Sequence, residues 1–145
     1  MAGVTTVSDG YYNIFLGVGA YDFRNVHHEI WHAMEYRITA EYPDVFDSWD
    51  DLNPAGFEYA DDYFSEDIWT YAEPKDDWFV RGYSAVNEYE DRATVIEAVF
   101  TYDDEWWTQH EHIKEKLNML KNAALPIFGN VYDILPHATL SPPDY

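Results

Sequence analysis

The chain of 145 residues carries 28 Asp and Glu against 8 Lys and Arg, with six His and no Cys, for a formal charge of -20. A chain of this length builds one domain around one modest core. The charge excludes nucleic acid, whose phosphates call for Lys and Arg clusters, and the missing thiols exclude disulfides, thiol catalysis and cysteine-held metals.

Aromatic residues make up 19% of the chain, too many for a disordered acidic tail. In chain order, Val4 to Val7 and Tyr11 to Val18 read as strands, with Asp9-Gly10 as the turn between them. The longest apolar-leaning run, Tyr11 to Tyr21, is too short to span a bilayer. No basic segment precedes an apolar stretch, so the export signal of a secreted parent is expected outside this chain. Phe23 to Ala40 predicts a helix, with Asp22 as N-cap and Pro43 just beyond its end. Pro43 to Leu52 reads as a short acidic helix stopped by Asn53-Pro54, Ala55 to Lys75 as irregular, and Trp78 to Val80 as extended.

A further helix is expected from Glu88 to Thr101, capped by Asn87, with Tyr89, Ala93, Ile96 and Phe100 as its buried stripe. Asp103 or Asp104 caps the next helix, which turns Ile113, Leu117 and Leu120 inward. Another helical stretch follows Pro126, and the tail from Pro136 is frayed. The balance is an α+β domain, predominantly helical, spanning residues 1–145.

The chemistry concentrates in the first helix, where His28-Glu29-Ile30-Trp31-His32 has the H-E-x-x-H form. Four-residue spacing puts His28 and His32 on one helical face, where both imidazoles can hold one ion with Glu29 beside them. Two neutral imidazoles and a carboxylate suit Zn2+ and leave a fourth position for water. Gly at 35 and His at 38 would extend the motif to a third histidine, but those positions are Glu35 and Ile38. His27 faces away from the pair by about 100° and reads as a surface or outer residue. His110 and His112, two apart on a helix, cannot share an ion there. The third ligand is therefore a carboxylate, and Glu90 and Glu97 lie on one edge of the later helix while Asp91 points elsewhere. Spacing alone leaves Glu90 divided between ligand and capping box with Asn87.

The stretch Tyr83-Ser84-Ala85-Val86-Asn87-Glu88-Tyr89-Glu90, with Ala93 and Glu97 after it, resembles the second active-site segment of the anthrax lethal factor family, which includes the secreted proline-proline endopeptidases. That segment reads Tyr, three variable residues, Asn-Glu-x-Glu, then a helix with Ala three residues on. The resemblance implies Glu90 as the third zinc ligand and Tyr83 as the tyrosine at the reacting carbonyl, beside His28, Glu29 and His32. Lys121-Asn122-Ala123, followed by Pro126 and Phe128, is similar to the family's C-terminal helix entry. Trp31 stands where family members tend to have Gly, and Asp91, Arg92 and Thr94 replace apolar and acidic positions.

The expectation is thus a zincin-like domain with a reduced N-terminal sheet. Its function would be zinc-dependent cleavage of a polypeptide substrate, with Glu29 as general base and Tyr83 stabilising the oxyanion. The alternative is a catalytically silent zincin-like domain that binds or scaffolds. The family setting implies an extracellular or cell-surface location. The sparse strands imply either a reduced fold or the C-terminal portion of a longer one. The Asp pairs at 50-51, 61-62, 76-77 and 103-104 lack a calcium-loop pattern and read as solvated surface. Glu35 reads as solvated or as orienting a histidine from behind.

Overall fold

The computed structural model describes residues 3–17, 23–64 and 77–132. Strands β1 (Gly3–Ser8) and β2 (Tyr11–Leu16) pair antiparallel, in register from Ser8 opposite Tyr11 to Gly3 opposite Leu16. Asp9 and Gly10 close the hairpin with φ of 51° and 78°, left-handed values that a two-residue turn requires and that Asp-Gly tolerates. The second strand stops at Leu16, and Val18, where it was expected to end, lies outside the described residues.

Helix α1 (Phe23–Glu41) lies under the hairpin. The expected cap, Asp22, is outside the described residues. The helix stops where Tyr42 N makes a last bond to Ile38 O at 2.8 Å, because Pro43 brings no donor and restrains the residue before it. The short helix expected over Pro43 to Leu52 is corrected to turns ending in one 3-10 turn, Trp49–Leu52. Asp44, Asp47, Asp50 and Asp51 explain this, since an α-helix would stack them at i, i+3 and i+4. The extended stretch expected at Trp78 to Val80 is a turn and loop without strand pairing among the described residues. There Trp78 O accepts from Lys116 Nζ at 2.8 Å instead of from a neighbouring strand.

Helix α2 (Glu88–Thr101) has the expected bounds, and the Asn87 side chain accepts from Glu90 N. Its buried stripe needs correction. Ala93 and Ile96 are buried, but Tyr89 is 51% exposed and Phe100 only half-buried. Every residue from 90 to 99 is buried instead, charged ones included. The reason is enclosure: α1, α4 and the turn at Gly82–Ala85 all pack on α2.

The fourth expected helix is two. Asp103 caps α3 (Asp104–Gln109) by accepting from Trp106 N, and the chain breaks at His110 before α4 (Glu111–Phe128). Pro126 lies inside the last turn of α4 rather than ahead of a new helix, and Gly129, at φ 74°, ends it. Ile113, Leu117 and Leu120 face the core as expected. The tail from Pro136 lies outside the described residues. No helix among the described residues is long and apolar enough to cross a membrane.

Trp31 and Trp49 are the largest fully buried side chains. Each removes roughly 200 Å² from water, about 5 kcal/mol at ~25 cal/mol per Å². Trp31 packs 6.1 Å from the Tyr132 ring, so its indole fills the core and does not line the cleft. It packs α1 against the core one residue before His32.

Candidate metal centre

His28 and His32 sit one turn apart on α1, with their Nε2 atoms 3.0 Å apart. Glu90 reaches them from the first turn of α2, its Oε2 being 2.8 Å from His28 Nε2 and 3.4 Å from His32 Nε2. Ligands at about 2.0–2.1 Å from a tetrahedral ion stand roughly 3.3 Å from one another. The three atoms therefore outline one face of such a tetrahedron. His28, His32 and Glu90 form a cluster able to hold a metal ion.

The protons around His28 bear on the same point. Its Nδ1 faces Glu97 Oε1 at 2.6 Å, and Glu97 is also gripped by Arg81 through Nη2 at 2.6 Å and Nε at 3.1 Å. A carboxylate on Nδ1 draws the imidazole proton there and bares the Nε2 lone pair. That lone pair then meets the Glu90 carboxylate at 2.8 Å, two acceptors that need a cation or a second proton between them. In the metal-free protein a proton serves. Burial alone lowers the His28 imidazole, but its bonds to Glu90 and Glu97 outweigh burial and carry it up to about 9. Burial raises the Glu90 carboxyl, yet bonds from His28 and His32 hold it well below the usual carboxylate range. The donor set fits a divalent cation of the zinc type.

Glu29 is buried beside the pair. Thr5 on β1 donates its hydroxyl to Glu29 Oε2 at 2.6 Å, with the Glu29 main-chain oxygen 3.0 Å away. Gly3 lies so close that a Cβ there would come within 2.7 Å of Glu29 Cγ and Oε1. A cleft of about 560 Å³ opens between β1, α1 and the start of α2, and Glu29, His32, Tyr63, Tyr83 and Glu90 line it. Tyr83 stands in the 3-10 turn Gly82–Ala85, its ring 6.1 Å from that of His28. Ser84 pins that turn by meeting Thr94 Oγ1 at 2.7 Å and accepting from Arg81 N at 3.2 Å. Burial and the Glu90 charge push the Tyr83 hydroxyl up, so it stays a protonated donor at neutral pH.

The structure thus places four of the five residues singled out in the sequence, Glu29, His32, Tyr83 and Glu90, along one cleft, with His28 buried against Glu90 behind it, and assigns others differently. Glu97, left open as a ligand, lies behind His28 on its far nitrogen. Glu35 makes no hydrogen bond to a histidine among the described residues; it forms a buried ion pair with Arg92 that ties α1 to α2. His27 is half-buried and stacks on Phe100 with centroids 3.3 Å apart, away from His28 and His32, and burial lowers its pKa. His110 and His112 stack separately on Trp106 and Trp78. The described members of the Asp pairs are exposed.

Thr5, Arg81 and Tyr63 were not singled out in the sequence. Arg81 carried a usable signal, two positions before Tyr83. Tyr63 carried none, in an irregular segment of a chain with 13 Tyr. It arrives through tertiary backbone bonds, from Ala60 N to Ala85 O at 3.0 Å and Asp61 N to Val86 O at 2.8 Å. The chain matches no family model, no curated protein and no solved structure.

Proposed function

We propose that this chain is a zinc-dependent endopeptidase of the zincin type, similar in its two motifs to the anthrax lethal factor family and acting on an extended polypeptide. The observation that carries this reading is the convergence of His28 Nε2, His32 Nε2 and Glu90 Oε2 beside the Glu29 carboxylate. Zinc held by these three residues would supply a Lewis acid that polarises a carbonyl and brings a water's pKa to about 7.

The protein's own groups do the rest. Glu29 takes the proton of the attacking water on its carboxylate and returns it to the leaving amine. Thr5 orients that carboxylate by holding Oε2. Tyr83 donates its hydroxyl to the oxyanion that develops on the carbonyl. β1 lines the cleft and, among the described residues, pairs only with β2, so its other edge offers backbone groups to an extended peptide. The extracellular or cell-surface setting belongs to this same proposal.

A second reading, a silent metal-binding domain, draws on one observation: Glu29 Oε2 is already bonded to Thr5, and Gly3 presses on the rest of the carboxylate. Metal content and cleavage of a peptide library, measured for wild type beside Glu29→Gln, separate the two. One equivalent of zinc with Glu29-dependent cleavage supports the peptidase. Zinc without cleavage leaves the silent domain, and no uptake of supplied zinc at neutral pH overturns both.

A further inference from the structure

Asn87 holds Glu90 at both ends. Its Oδ1 accepts from Glu90 N at 2.9 Å, the N-cap bond of α2. Its Nδ2 donates to the Tyr63 hydroxyl at 3.0 Å. Because that hydroxyl accepts from Asn87, its single proton is directed to Glu90 Oε1, 3.2 Å away. Donor roles are thereby set around a closed ring of Asn87, Tyr63 and Glu90. One carboxylate oxygen is spent on Tyr63, while the other, Oε2, faces both histidines.

We infer that Tyr63 is a positioning residue that keeps Glu90 a one-oxygen ligand, leaving the fourth position of a tetrahedral ion free for water. The inference rests on the zinc-site reading above. A carboxylate ligand binds through one oxygen or two, and two would crowd the position that hydrolysis uses. Without a donor on Oε1, nothing in this ring opposes the second mode. Groups that orient a metal ligand through hydrogen bonds typically govern 10–100-fold in affinity. The phenol ring is not the active feature. It stands 6.1 Å from the Tyr83 ring, a contact that phenylalanine would keep.

The test compares the full chain with Tyr63→Phe and with Asn87→Ser, which retains a capping hydroxyl but lacks the amide donor. Zinc affinity is read by competition with a chromophoric chelator, and coordination number by the visible spectrum of the protein loaded with Co2+ alone. Four-coordinate cobalt absorbs more strongly than five-coordinate cobalt, so the spectrum reports geometry independently of activity. For Tyr63→Phe the expected result is zinc binding weakened about tenfold and a weaker cobalt band, with the metal-free protein melting as wild type does. Asn87→Ser should shift both readouts in the same direction by less. Wild-type affinity and an unchanged cobalt spectrum in Tyr63→Phe overturn the Tyr63 assignment alone. Wild-type protein that takes up neither metal overturns the zinc site and this inference with it.

Discussion

Glu97 Oε1 lies 2.6 Å from His28 Nδ1, across the ring from Glu90, which meets Nε2 at 2.8 Å. One imidazole is thus clamped between two carboxylates that stand two turns apart on α2, only one of which is placed to share an ion with His32. Removing Glu90 should abolish most zinc affinity, because it deletes a ligand. Glu97→Ala should weaken zinc by about 10–100-fold, because it frees the His28 ring and its tautomer. Titration against a competing chelator ranks them. A larger loss for Glu97→Ala refutes the ligand assignment.

The H-E-x-x-H face, the Asn87 cap and the bounds of α2 were legible because each depends on neighbours within a few residues. What stayed hidden depends on distant chain. Residues 90–99 form a helix buried all round, yet Glu90, Asp91, Arg92 and Glu97 give it a polar composition. Nothing local announces that His28, Lys116, Glu35 and Arg81 will meet them. Tyr63 is hidden for the same reason, since two backbone bonds to residues 85 and 86 carry it to the site. Where the sequence misled, in the short acidic helix expected over Pro43 to Leu52, like charges one turn apart weigh against an α-helix.

Thr5 and Gly3 govern the direction of the Glu29 carboxylate. Gly3→Ala puts a Cβ 2.7 Å from Glu29 Cγ and Oε1, so the strand or the carboxylate must move. Cleavage should fall about tenfold or more, the cost of displacing a general base, while zinc affinity remains that of wild type. Thr5→Val should lower kcat in the same way. A rise in kcat for Thr5→Val would show that the Thr5 bond restrains Glu29, and would contradict its orienting role.

Metal should also stabilise the fold, because it joins His28 and His32 of α1 to Glu90 of α2, in place of the proton shared by His28 and Glu90 in the metal-free protein. A ligand at 1,000 times its Kd adds about 4 kcal/mol to a state that alone binds it. In a domain of this size that raises the thermal midpoint by roughly 10 °C. Chelation should reverse the rise, and Glu29→Gln should retain it. An unchanged midpoint with zinc in excess would falsify the metal centre without recourse to any activity assay.

Asp91 follows Glu90 on α2 but turns toward α4, where Lys116 meets Oδ2 at 2.8 Å with both side chains at 0% exposure. Tyr59 and Trp49 donate to the same oxygen at 2.7 and 3.3 Å, and Lys116 lies 4.1 Å over the Phe79 ring. Burial pushes Asp91 up and Lys116 down, so each group alone resists its charge and depends on the other. Lys116→Met leaves a buried carboxylate without its cation and should cost about 3–5 kcal/mol of stability. Adding Asp91→Asn should recover part of that loss, because a neutral amide still accepts from Tyr59 and Trp49 and no longer needs a cation. Urea unfolding of the metal-free single and double variants measures this coupling. Additive losses would mean that Lys116 acts through its packing on Phe79, and that the ion pair does not anchor the first turn of α2, where Glu90 resides.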